Sequence, residues 1–290
     1  MKDSDPYILA SMAGEKAVKE RGITSLPIDP IQIARDLGIT VIPKPAESKG
    51  VSGMLLRNGD EYGIAYATHI KNVGFQHFSV AHELGHFLLP GHVDAVLGSS
   101  HVHESRAGFT SGERFEMEAD HFAAGFLMPK SLFVPAMRSA GDGLSAIESL
   151  KTRCSTSLTA TAIRFTQCTL DPMAIVVSTG VQIDYCFMSK ALKEVDGIDW
   201  IRKRAYLPKN SATYAFNQDS DRVQCSEKAE DTSDLQDWFG GPHRIEIMEE
   251  VIGLGSYGKT LTVLTASNLP DPEDVEEEDQ LIDSWTPRFR

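Results

Sequence analysis

Residues 82–86 read His82-Glu83-Leu84-Gly85-His86, an H-E-x-x-H motif. Two imidazoles four positions apart on a helix share one face and lie one turn from each other. From there each can place a ring nitrogen about 2.0–2.1 Å from a single Zn2+ ion. Glu83, next to the first histidine, can then act as general base toward water at the metal. The implied chemistry is hydrolytic: the metal supplies acidity, Glu83 accepts the proton, and the oxygen attacks a carbonyl.

A catalytic zinc site takes three protein donors and keeps one position open, so a third donor is required. The sequence offers two main candidates. His92 follows His86 by six residues, the spacing of H-E-x-x-H-x-x-G-x-x-H, but Leu89 stands at that pattern's glycine, so the necessary turn is not encoded. Glu116 lies in a second helical segment, with Phe115, Ala119, Phe122, Ala123 and Phe126 on its apolar side. Asp120, four residues on, shares the face of Glu116. One of these carboxylates can bind zinc while the other accepts the N–H of a ligand histidine, fixing its tautomer. Two His and one Glu form the thermolysin donor set. Glu113 and Glu118 are weaker candidates, since neither has a carboxylate four residues further on.

Two helices must position these groups. Val80, Leu84, Phe87 and Leu88 recur at helical spacing around the motif, and Pro90-Gly91 stops the run. Gly85 costs about 1 kcal/mol of helix propensity relative to Ala. It is expected where a bulkier residue would crowd the metal or a neighbouring element.

The two segments together resemble the ImmA/IrrE family of zinc peptidases. The likeness rests on Phe78-Ser79-Val80-Ala81-His82-Glu83-Leu84-Gly85-His86, on Glu116, Ala119, Asp120, Phe122, Ala123 and Ala124, and on Leu127-Met128-Pro129. Upstream, Asp29–Ile39 and Val51–Leu55 also match, so the resemblance covers about residues 5–165. It implies that His82, His86 and Glu116 bind Zn2+, with Glu83 the catalytic base and Asp120 behind the ligands, where such proteins commonly carry Asn. It further implies a cytoplasmic bacterial endopeptidase that cuts a helix-turn-helix transcriptional repressor to release stress-response or mobile-element genes. The expected class is α+β: a zincin-like metallopeptidase domain with a helical extension, then a smaller α+β domain. The expected divisions are 1–130 for the catalytic domain, 131–170 for a helical, helix-turn-helix-like extension, 171–268 for the second domain, and 269–290 for an acidic tail.

Composition narrows the partners. The 290 residues carry a formal charge of −13, which disfavours nonspecific nucleic-acid binding and favours a basic partner. The hydrophobic fraction of 41% is enough for a proper core. Cys154, Cys168, Cys186 and Cys225 show no C-x-x-C pairing and read as free thiols. There is no apolar leader at the start and no run of 18 apolar residues, so no membrane partner is expected.

Further elements follow from local pattern. Ser4 or Asp5 caps a helix over 5–21 with Pro6 in its first turn, and Asp29-Pro30 opens a second, closed by Gly38. Val51–Arg57 and Tyr62–Ala67 predict a hairpin around Asn58-Gly59. Gly53–Leu56 is the expected sheet edge on which a peptide would add as a strand. Residues 93–114 read as a long polar loop near the site, a candidate lid; His101 and His103 within it could bind a transition-state oxygen or a second metal, but solvated side chains are expected there. Residues 144–165 have a helix-turn-helix layout, expected to pack against the catalytic domain rather than read DNA. Gly253–Thr260 matches the P-loop expression, but the β-rich run after it predicts a hairpin turn instead. The rival functional reading is a non-catalytic regulator that binds a repressor or toxin and keeps zinc as a structural staple.

Overall fold

The computed structural model describes residues 5–44, 50–106, 113–241 and 244–266. The chain divides into two compact units, residues 1–168 and 169–290. Both are mixed α and β, the class the sequence predicts. Among the described residues no helix is long and apolar enough to cross a membrane. The expected acidic tail and Ser4 lie outside the described residues.

The first unit begins with α1 (Pro6–Glu20), capped by Asp5, whose carboxylate accepts from the Tyr7 N–H at 2.9 Å. Asp29 caps α2 (Pro30–Asp36) in the same way, with proline at the first helical position. A four-stranded sheet comes next, made of β1 (Thr40–Lys44), β2 (Val51–Asn58), β3 (Glu61–Ala67) and β4 (Val102–Arg106). Its order is β1-β3-β2-β4, with β1 parallel to β3 and the other pairs antiparallel. Asn58 pairs with Glu61, so Gly59-Asp60 close the expected hairpin, Gly59 at φ +63°.

Two expectations fail here, for one reason. β2 is not an edge, because β4 pairs along it. Residues 93–114 are not simply a loop, because α4 (His92–Leu97) and β4 form within them; residues 107–112 lie outside the described set. Val102-His103-Glu104-Ser105-Arg106 has a single apolar residue, so the period-2 signal that betrays a half-buried strand is missing. Its partner supplies the pairing instead.

The sheet backs α3 (Val73–Leu88), capped by the Asn72 side chain. Against α3 packs α5 (Arg114–Leu127), with Phe122 and Phe126 almost wholly buried. Gly85 marks the closest approach. A Cβ there would meet Phe122 Cδ1 at 3.1 Å and Ala119 Cα at 3.2 Å, so the crowding neighbour is α5. Three helices complete the unit: α6 (Lys130–Ala140), α7 (Gly143–Cys154) and α8 (Leu158–Cys168). In α8, Arg164 is buried and donates to the Met128 carbonyl at 2.9 Å and to Glu15 at 2.6 Å. This basic residue of the helix-turn-helix-like segment therefore ties α8 to α1 and the end of α5.

The second unit is a five-stranded antiparallel sheet of order β6-β5-β9-β8-β7: β5 (Met173–Thr179), β6 (Gln182–Met188), β7 (Lys228–Asp234), β8 (Glu246–Gly253) and β9 (Thr260–Thr265). Its short helices are α9 (Lys190–Lys193), α10 (Ala212–Asn217), α11 (Ser220–Gln224) and α12 (Leu235–Phe239). A large cluster including Val176, Ile183, Trp238, Phe239 and Leu264 forms its core, and Phe216, Val223 and Val251 make a smaller one. The P-loop-like segment is the β8–β9 hairpin, with Gly253 paired to Thr260 and Lys259 bonded to Asp184.

Candidate metal centre

α3 presents His82 and His86, both buried, toward the face of α5 that carries Glu116 and Asp120, while the buried Glu83 between them in sequence lies against β2. His82 Nε2 and His86 Nε2 lie 3.1 Å apart. Glu116 bridges them, Oε2 3.4 Å from His82 Nε2 and Oε1 3.4 Å from His86 Nε2. A tetrahedral ion with ligands at about 2.0–2.1 Å holds them about 3.3 Å from one another. The three donors are therefore spaced as such an ion requires, and they can hold one together.

The remaining ring nitrogens are engaged. His82 Nδ1 lies 2.9 Å from Asp120 Oδ1, which fixes the proton on Nδ1 and leaves the Nε2 lone pair for a metal. His86 Nδ1 lies 3.3 Å from His92 Nδ1, and His92 Nε2 lies 2.8 Å from Glu118 Oε2. Arg114 donates to the other oxygen of Glu118 at 2.6 Å. His92, the alternative third donor, thus stands behind His86 rather than beside Glu116, and Glu118 in turn holds His92. Burial keeps both from solvent.

The electrostatics are those of an enclosure built for positive charge. Burial disfavours a charged His82, but the Asp120 and Glu116 carboxylates outweigh it and raise its pKa to about 10. Burial lowers His86 to about 4, against the pull of Glu116. Burial also works against a charged Glu116, yet His103, His82 and His86 hold it well below the ordinary carboxylate range. One cation is favoured in this cluster, and a divalent ion would take the place of the proton on His82.

Glu83 is different. Its side chain has no exposure, and neither carboxylate oxygen has a hydrogen-bond partner among the described residues. Burial pushes its carboxyl up, opposed by the charge of His82 and by the nearby Ser105 hydroxyl. That hydroxyl also lies 3.3 Å from His103 Nε2, and it makes no hydrogen bond of ordinary geometry to Glu83. Gly53 of β2 lies against Glu83: a Cβ there would sit 2.5 Å from Glu83 Oε1 and 3.1 Å from Cγ. That glycine leaves the carboxylate its space.

The expectation of a solvated His103 does not hold. β4 brings His103 Nε2 to 3.0 Å from Glu116 Oε1, with its ring centroid 4.7 Å from that of His86. His101 precedes the strand and is exposed. Only the pairing of β4 with β2 reveals His103, and no local pattern encodes it.

This constellation can be set beside known proteins. Residues 34–166 match the family model described as Peptidase M78, IrrE N-terminal-like domain. Over that stretch, a little under half of the chain, the sequence is similar to an M78 peptidase domain. The match takes in α3, α5 and every residue of the cluster. Among solved structures, the chain is similar to a Mycobacterium tuberculosis transcriptional regulator, at 15% identity and a TM-score of 0.57, covering 97% of this chain and 93% of that one. At that identity the likeness speaks for the fold. No curated protein matches the sequence significantly.

Proposed function

We propose that this chain is a zinc-dependent endopeptidase acting in the cytoplasm on a helix-turn-helix repressor, whose cleavage releases stress-response or mobile-element genes. One observation carries the reading. Glu83 is buried with both oxygens unpartnered, beside three donors spaced for one metal ion. A buried orphan carboxylate is costly, and buried polar groups in native folds are almost always satisfied. A group that must accept a proton from water explains why this one is kept.

When bound, zinc supplies Lewis acidity that polarises a carbonyl and acidifies water. The residues of the chain supply the rest. Glu83 accepts the proton of the attacking water and then delivers it to the leaving amine, serving first as base and then as acid. Asp120 holds His82 in the tautomer that leaves Nε2 free, and the His92–Glu118–Arg114 relay orients His86. The substrate class rests on the family resemblance and on charge. A chain of formal charge −13 attracts a basic DNA-binding protein and repels DNA itself.

The rival is a regulator without catalysis, and the similar Mycobacterium protein is named a transcriptional regulator. That likeness carries fold alone, and a staple site leaves Glu83 unexplained. The test is incubation of the full chain with the helix-turn-helix repressor encoded beside its gene, with and without chelator. Glu83→Gln is expected to keep the metal and lose cleavage by about 10²–10⁴-fold. Cleavage at the wild-type rate by the Gln variant, or cleavage that survives metal removal, ends this reading.

A further inference from the structure

Beside the metal helix, β4 pairs along the side of β2 on which an added peptide strand is expected from the sequence. The register pairs Gly53 with Ser105 and Leu55 with His103. Side chains alternate across a sheet. His103 and Ser105 therefore share the face of Gly53, the residue that lies against Glu83. His103 ends 3.0 Å from Glu116, and its donor nitrogen, that of His86 and a Glu83 oxygen all lie within 4.8 Å of one another. This is the side of the cluster facing the general base, where attacking water and the scissile carbonyl must come.

We propose that β4 is a resident occupant of the peptide-binding edge and that it delivers His103 as a fourth protein donor to the metal. The proposal rests on the metal-binding reading above. Catalytic zinc sites keep one position open, whereas four protein donors make a closed site. With His103 in place the resting chain is closed, and a peptide opens it by displacing β4. The strand is built for exchange. Val102 is its one apolar residue and is 38% exposed, so little hydrophobic burial holds it. What holds it is the backbone ladder, helped by Ser52 Oγ donating to the Ser105 carbonyl at 3.1 Å and Arg57 N donating to the His101 carbonyl at 2.9 Å. An incoming peptide offers the same ladder, so the exchange costs chiefly the contacts of His103 at the metal cluster.

The test uses the full chain loaded with Co2+, whose visible absorption reports its ligands. In wild type, added azide is expected to leave the spectrum unchanged, because no position is open. In His103→Ala azide should shift the spectrum, and Zn2+ affinity measured against a competing chelator should fall about tenfold or more. His103→Gln keeps a hydrogen-bond donor toward Glu116 and should behave like the Ala variant; recovery of wild-type behaviour in it would reduce His103 to a structural donor. Zn2+ loading should slow amide exchange of residues 102–106 about tenfold in wild type and not in His103→Ala. Azide acting equally on wild type and variant, or equal protection of β4 in both, overturns the proposal while leaving the metal centre intact. Failure of the wild type to bind Co2+ at all would strike the metal reading itself, and this one with it.

Discussion

Among the described residues each unit buries one glutamate completely, and the two are treated in opposite ways. Glu249, on β8 of the second unit, has both oxygens satisfied. Oε1 accepts from the Thr213 N–H and Thr213 Oγ1, each at 2.6 Å, and Oε2 accepts from Ser233 Oγ. Thr213 also meets Thr262 at 2.7 Å, so this carboxylate knits α10, β7, β8 and β9 together. Glu83, on α3 of the first unit, has neither oxygen hydrogen-bonded among the described residues. Burial depth therefore does not separate a structural carboxylate from a chemical one. Satisfaction does: the fold gives Glu249 three hydrogen bonds, whereas Glu83 has none of ordinary geometry among the described residues and only the Ser105 hydroxyl nearby.

The contrast can be broken in several places. Its largest consequence is the loss of cleavage in Glu83→Gln described above. Next comes Gly53→Ala, which would press a methyl group against the Glu83 carboxylate. A displacement of about 1 Å at a reacting group can cost about 100-fold in rate, and a loss of that order is expected with metal content unchanged. A wild-type rate in Gly53→Ala would show that Glu83 does not depend on this space. Glu249→Ala should act on stability alone. It strands the Thr213 amide and hydroxyl, and urea unfolding of the second unit should move by about 2 kcal/mol while Zn2+ affinity holds its wild-type value. A drop in Zn2+ affinity would contradict the division of roles. Asp120→Ala should lower Zn2+ affinity about tenfold by freeing the His82 tautomer, measured by chelator competition. An unchanged affinity would mean that Asp120 does not orient the ring.

What can be read from the sequence is what local periodicity and spacing encode. The i, i+4 pairs His82/His86 and Glu116/Asp120 each occupy one helix face, and the structure brings those faces together. The β2–β3 hairpin announces itself through Asn58-Gly59. β4 and β7 carry no such signal, and they share a character. Both are edge strands, polar along most of their length: Val102–Arg106 has one apolar residue and Lys228–Asp234 only Ala229. An edge strand need not bury a face, so alternation is absent and its existence is decided by a partner elsewhere in the chain. His103 is hidden because it rides on such a strand. His92 is legible as a metal-directed histidine but not as the support of one, since Glu118 and Arg114 approach it only after α5 has folded against α4.

The smallest expected effect bears most directly on the comparison, because it measures the cost of leaving Glu83 unpartnered. Burial raises the Glu83 pKa in the folded chain above its unfolded value of 4.5. Below that value the group is protonated in both states and contributes nothing. As pH rises past 4.5, the unfolded chain releases the proton while the folded chain retains it, so this group costs stability progressively until pH reaches the raised folded pKa. Glu83→Gln carries no titrating group and escapes the loss. Metal-free Glu83→Gln should therefore be more stable than metal-free wild type at neutral pH by at least about 1 kcal/mol, the low end of the penalty for an unsatisfied buried group. The advantage should shrink toward about pH 4, where both states hold the proton. Urea unfolding of chelated protein across this range checks the sign. A Gln variant less stable than wild type at neutral pH would mean that the Glu83 carboxylate is satisfied in solution, and the distinction drawn from Glu249 would not hold.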